Sequence, residues 1–122
     1  MKKLIICSLL ALVYSLSSQA QKEIPLDSLS SHIGDSVKVC SKIYGGIYLE
    51  RSNNKPTLLN MGGAYPNSPL TILIWDDVRK QFKDAPETYY KDRDVCVFGK
   101  VIFYKDKPEI IIYDARQIIA GE

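Results

Sequence analysis

Histidine is almost missing from this chain of 122 residues, and that scarcity restricts its chemistry more than any residue present. His32 stands alone, just ahead of Gly34, so any Ser-His or Cys-His nucleophile would have to be built around it. No G-x-S-x-G sequence and no glycine-rich phosphate loop occurs. The three cysteines, Cys7, Cys40 and Cys96, form no C-x-x-C pair and with one histidine fall short of a structural zinc set. Asp76-Asp77 and Asp92-x-Asp94 lack the ligand number and the glycine of a calcium loop and read as caps and turns. Neither a metal, a cofactor nor an enzymatic activity is expected.

Charge of one sign is also lacking: 16 basic residues face 14 acidic ones, for a net +2. A general attraction to nucleic acid through an evenly basic surface is excluded, and only a local basic patch could serve. Long apolar runs are absent but for one. Lys2-Lys3 precedes the run Leu4 to Leu16, which ends in Ser17-Ser18-Gln19-Ala20, the order of a secretory signal cut after Ala20. A spanning helix needs about 20 apolar residues, so the run predicts export to the periplasm or the medium and no stable membrane insertion after cleavage.

The expected mature chain, residues 21–122, has the length of one small domain with a core. Loss of Lys2 and Lys3 leaves 14 basic against 14 acidic side chains. Cys40 and Cys96 then lie in a compartment that permits disulfides, and either a bond between them or two separate buried thiols fits the sequence.

No repeat or linker interrupts this stretch. Leu26, Leu29 and Ile33 predict a short N-terminal helix or turn before Gly34. From Ser36 the period changes to two, with Val37, Val39 and Ile43 alternating with polar residues, and Gly45-Gly46 predicts a bulge before Tyr48. Further strands are expected at Pro56 to Met61, Leu70 to Ile74, Arg93 to Tyr104 and Glu109 to Tyr113, with Val95, Val97, Val101 and Phe103 in phase. A helix from Asp76 or Asp77 through Phe82, ended by Pro86, separates the third strand from the fourth. In a chain this short, closure into a barrel removes the sheet edges.

Five phrases occur in order: Val37-Lys38-Val39-Cys40-Ser41-Lys42-Ile43; Thr57-Leu58-Leu59-Asn60-Met61-Gly62 with Tyr65-Pro66-Asn67; Leu70-Thr71-Ile72-Leu73-Ile74; Val95-Cys96-Val97-Phe98-Gly99-Lys100-Val101; and Lys107-Pro108-Glu109-Ile110-Ile111-Ile112. Together they resemble the OB-fold, nucleic-acid-binding-like domains of exported bacterial proteins, including those that accompany secreted nucleases. The resemblance implies a mainly β, five-stranded OB-fold Greek-key barrel with a short helix between strands three and four. It also implies a ligand face on strands two and three and the loops joining strands one to two and four to five. That face would carry Tyr48, Arg51, Lys55, Asn60, Tyr65, Asn67, Lys105 and Lys107, aromatic and basic groups of the kind that stack on bases and follow phosphates. The leading expectation is thus a noncatalytic module for single-stranded nucleic acid. The alternative is a protein-interaction or envelope-stress module, using an outer apolar face of Leu73, Trp75, Phe98, Ile102 and Tyr104.

Overall fold

The alternation around Val37 and Val39 becomes the longest strand of the molecule. A computed structural model describes residues 22–121; the expected signal peptide, residues 1–20, lies outside the described part. The strands are β1 (Lys22–Glu23), β2 (Ser36–Tyr48), β3 (Thr57–Met61), β4 (Leu70–Ile74), β5 (Asp94–Tyr104), β6 (Lys107–Ile112) and β7 (Ile118–Ala120). Two single-turn helices, α1 (Asp76–Arg79) and α2 (Pro86–Tyr89), link β4 to β5, and 3₁₀ segments cover Leu26–His32 and Ala115–Gln117.

Five strands close into a barrel in the order β2-β3-β4-β6-β5, with β5 returning to β2. All barrel pairings are antiparallel except β4 with β6, which run parallel from Thr71 opposite Glu109 to Ile74 opposite Ile112. The first half of β2 pairs with β5 and its second half with β3. The register shifts between Ile43 and Gly46, so the strand bends there and serves both sides of the barrel. Gly45 has φ 130°, and a Cβ on Gly46 would collide with the Leu58 carbonyl, so side chains are excluded at this bend.

Inward residues of every barrel strand form one buried core, from Val37, Val39 and Ile43 through Leu59, Ile72 and Val97 to Ile110. Val78, Phe82 and Tyr90 of the helical link pack against it at one side. Leu29 of the leading 3₁₀ segment enters from another, while Leu26 lies beside Gly62 and Pro69. Cys40 stands directly opposite Cys96 in the β2–β5 pairing, and the two are disulfide-bonded with their Cα atoms 4.0 Å apart. Both point away from the core valines, so the bond clasps the barrel seam from outside.

Several expectations need correction. The single helix is two turns: Asp76 and Asp77 lie inside α1 with Trp75 at its N-cap, and Pro86 opens α2 where its rigid φ suits a first helical position. Phe103 continues the valine phase but is 50% exposed, because the β5–β6 hairpin projects past the barrel. Ile33 is exposed rather than packed. The last barrel strand begins at Lys107 and ends at Ile112. The tail adds β7 on the free side of β5. The outer apolar face is not one patch: Leu73 is buried on β4, and Phe98 lies on the β2–β5 side under Lys38.

Candidate ligand surface

Two left-handed residues, Lys105 (φ 52°) and Asp106 (φ 66°), form the turn between β5 and β6, placing Tyr104 directly opposite Lys107. Positive φ at both central positions matches the twist of the flanking strands, so this two-residue turn holds the hairpin in register. The hairpin ends near the loop joining β3 to β4. There the Tyr65–Pro66 peptide is cis, and Lys107 Nζ donates a hydrogen bond to the Pro66 carbonyl. One lysine thus ties the loop to the hairpin.

The tie sets the loop of Tyr65, 80% exposed, against the hairpin, whose two open rings lie on opposite faces: Tyr104, 55% exposed, on the face of its partner Lys107, and Phe103, 50% exposed, on the other. Lys105 Nζ lies 5.3 Å from the centre of the Tyr104 ring, within reach of its negative face. Asn67 closes a turn by donating its backbone N–H to the Ala64 carbonyl at 2.8 Å, and its side chain is exposed. Of the eight residues the sequence singles out, Tyr65, Asn67, Lys105 and Lys107 belong to this one surface.

The other end of the β3–β4 face carries Tyr48, Arg51 and Lys55. Five residues of strand separate the two ends, roughly 15 Å. Arg51 and Lys55 are exposed in residues 49–56, the loop from β2 to β3. Tyr48 is not free: its hydroxyl donates to Asp76 Oδ1 at 2.9 Å, and the Arg79 guanidinium covers its ring at 3.6 Å. The hydrogen bond to Asp76, with burial adding to it, holds the Tyr48 phenol above its ordinary pKa. Arg79 donates to Thr57 Oγ1 and to Glu87 Oε1, each at 2.7 Å, so Tyr48 belongs to a structural network that fastens α1 and α2 to the barrel.

Asn60 lies between the two ends, half-buried on β3, with its Oδ1 accepting from Ser68 Oγ at 3.3 Å. Its row runs Asn60, Thr71, Glu109, Ile102 across four strands. The neighbouring row, Ile47, Leu58, Leu73, Ile111, is wholly apolar. Glu109 is only 7% exposed, and burial pushes its carboxyl above the ordinary range. Sequence reading missed Glu109 because alternation alone does not show how deeply a neighbouring row covers an outward residue. It missed Phe103 for the reverse reason: the strand outruns the core.

His32 Nδ1 lies 3.1 Å from Asp35 Oδ2, an i,i+3 contact on the leading segment. Among the described residues no cluster of three or more His, Cys, Asp or Glu side chains converges.

A closed five-stranded barrel with its third strand parallel to its fifth and helical turns between the third and fourth is an OB-fold barrel. The sequence matches no protein-family model and no curated protein. Among solved structures, the chain is similar to a putative aspartyl-tRNA synthetase from Leishmania major Friedlin, at 12% identity and a TM-score of 0.52. The likeness covers 88% of this chain and 22% of that one, and it is a likeness of fold.

Proposed function

We propose that this OB-fold barrel is a noncatalytic binding module, exported from a bacterial cell, that takes single-stranded nucleic acid on the surface of Tyr65, Tyr104, Lys105 and Lys107. The observation that carries the reading is the Lys107–Pro66 hydrogen bond, which sets the loop of Tyr65 against the hairpin face of Tyr104 and Lys107, with Lys105 beside the Tyr104 ring. Exposed aromatic faces accept stacked bases whatever their sequence, and nearby ammonium groups meet the phosphates. The local lysines supply the attraction that the balanced whole cannot. Resemblance to domains that accompany secreted nucleases, and fold likeness to a protein named for tRNA, support the same ligand class.

The test is fluorescence anisotropy of a labelled oligothymidine of about ten nucleotides. Expected is binding with Kd below about 100 μM at low salt that weakens as salt rises. Tyr65→Ala and Tyr104→Ala should each weaken it about tenfold, the worth of one lost stack. No anisotropy change up to about 100 μM protein at low salt contradicts the reading, because even nonspecific binders reach that range.

A second reading, a protein-interaction or envelope-stress module, is favoured by the apolar row that ends in Ile47, 52% exposed. Its marker is a defined partner whose capture is lost in Ile47→Asp and kept in Tyr65→Ala.

A further inference from the structure

Among the described residues, Glu109 is the one charged side chain that is buried. Ile110 and Ile112 turn into the core, so alternation along β6 points Glu109 outward, on the face of Lys107 and Ile111. Nothing described in the fold answers its charge. Lys107, two residues away on the same face, donates to the Pro66 carbonyl instead. Burial alone pushes the Glu109 carboxyl above its ordinary range, with no hydrogen bond from a described residue to hold it down. Every fully buried polar side-chain atom among the described residues has a partner. The unpartnered Glu109 oxygens are therefore the part of this residue that still reaches solvent. We infer, on the footing of the single-strand reading of the hairpin surface, that Glu109 selects guanine, its carboxylate accepting from the N1–H and N2–H of a base stacked on Tyr104.

Strand register places the carboxylate beside the stack. Tyr104 stands opposite Lys107, and Ile102 opposite Glu109, so Tyr104 and Glu109 are diagonal neighbours on one face of the hairpin. Such neighbours lie about 7–8 Å apart, within reach of aromatic and long side chains. A base lying on the Tyr104 ring thus turns an edge to the row of Ile102, Glu109, Thr71 and Asn60. Glu109 is the charged acceptor of that row, and Asn60 Oδ1 already accepts from Ser68 Oγ at 3.3 Å.

A carboxylate only accepts, so it favours the edge that presents two neighbouring donors. Guanine carries N1–H and N2–H side by side. Adenine and cytosine each set a ring-nitrogen acceptor next to their amino group, and thymine flanks its one N–H with two carbonyls, so all three turn a lone pair toward the carboxylate. In a single strand these Watson–Crick edges are open to readout. A wrong base also leaves a poorly solvated acceptor without its donors, which is how a polar site rejects an analogue. An arginine side chain offers paired donors too. Lys105 lies over the Tyr104 ring and Lys107 opposite it, however, so a guanidinium there meets two ammoniums, whereas a nucleotide brings them a phosphate.

The test compares, by anisotropy, labelled oligothymidines of about ten nucleotides whose central base is thymine, guanine, 7-deazaguanine or inosine. Guanine should lower Kd at least about fivefold relative to thymine, the lower end for one bidentate base contact. 7-Deazaguanine keeps both donors and should match guanine. Inosine lacks the N2 amino group and should bind at least about twofold more weakly than guanine. Glu109→Gln keeps the size of the side chain but loses the charged acceptor, and it should bring the guanine-to-thymine ratio below about twofold. A melting temperature of Glu109→Gln no lower than that of wild type separates this loss from unfolding. Oligothymidine binding with no gain from guanine overturns the selection by Glu109 and leaves the single-strand reading in place, whereas no binding of any oligonucleotide overturns both. A guanine preference kept in Glu109→Gln, or inosine bound as tightly as guanine, also overturns the role of Glu109.

Discussion

The Arg79 guanidinium carbon lies over the Tyr48 ring, 3.6 Å from its centroid, while the same group donates to Glu87 Oε1 and Oε2 at 2.7 and 3.2 Å. A tyrosine at a loop mouth, the position of a stacking residue, is thereby turned into a bracket between β2 and the helical link. Arg79→Ala should remove the bracket and leave Glu87, 20% exposed, without its partner. The expected loss is about 2–3 kcal/mol of unfolding free energy by denaturant titration.

The same pair sets an acid limit. Burial pushes the Glu87 carboxyl up, but hydrogen bonds from Arg79 and from its own backbone, with the Arg79 charge, outweigh it and leave the pKa below the ordinary 4.5. A carboxylate depressed in the folded state gives stability that is present above 4.5 and lost as pH falls through the folded value. Melting curves between neutral pH and about pH 3 should therefore show part of the wild-type acid loss absent from Glu87→Gln.

Glu109 acts in the opposite sense. Its folded pKa is raised by burial, so its contribution is complete below 4.5 and is lost as pH rises through the folded value. At neutral pH it is a poorly solvated charge. Glu109→Gln should raise stability at pH 7 by about 1 kcal/mol. The gain should vanish at low pH, where wild type and variant are both neutral at this position.

The Cys40–Cys96 bond closes a loop of sequence separation 56 across the barrel seam. Cys40→Ser/Cys96→Ser should lose about 4 kcal/mol by chemical unfolding, the chain-entropy value for a loop of this length. Far-ultraviolet dichroism of the folded variant should stay unchanged, because the β2–β5 hydrogen bonds persist without the sulfurs.

Gly46 sits where a Cβ would meet the Leu58 carbonyl and the Leu59 side chain. Gly46→Ala should cost at least about 2 kcal/mol in thermal or denaturant unfolding, since backbone on the opposite strand cannot move aside cheaply.

Much of the barrel was legible because period two is a direct readout of one-sided burial: Val37 and Val39, Leu70 and Ile72, and Val95 and Val97 are all core residues. The paired glycines announced the bend in β2. The tail was not read, although Asp114-x-x-Gln117 is a capping-box pattern: Asp114 accepts from the Arg116 N–H, and Gln117 Oε1 accepts from the Asp114 N–H at 3.0 Å. Hydrogen bonds from Arg116, the side-chain one largest, hold the Asp114 carboxyl down at about 2. Gln117 Nε2 also donates to the Phe98 carbonyl at 2.8 Å, a long-range contact that no local pattern encodes. The candidate surface at the hairpin was half legible. Residue types identified Tyr65, Lys105 and Lys107, but only the fold shows that Lys107 reaches Pro66 and that Arg79 covers Tyr48.

Amide shift mapping tests the hairpin surface most directly, by adding a short oligothymidine to isotope-labelled protein. Saturable shifts are expected at Tyr65, Asn67 and the stretch from Phe103 to Lys107, with the β2–β5 seam around Cys40 and Cys96 unmoved. Shifts confined to the seam or the tail, or none at saturating oligonucleotide, would contradict the assignment of this end of the barrel as the nucleic-acid surface.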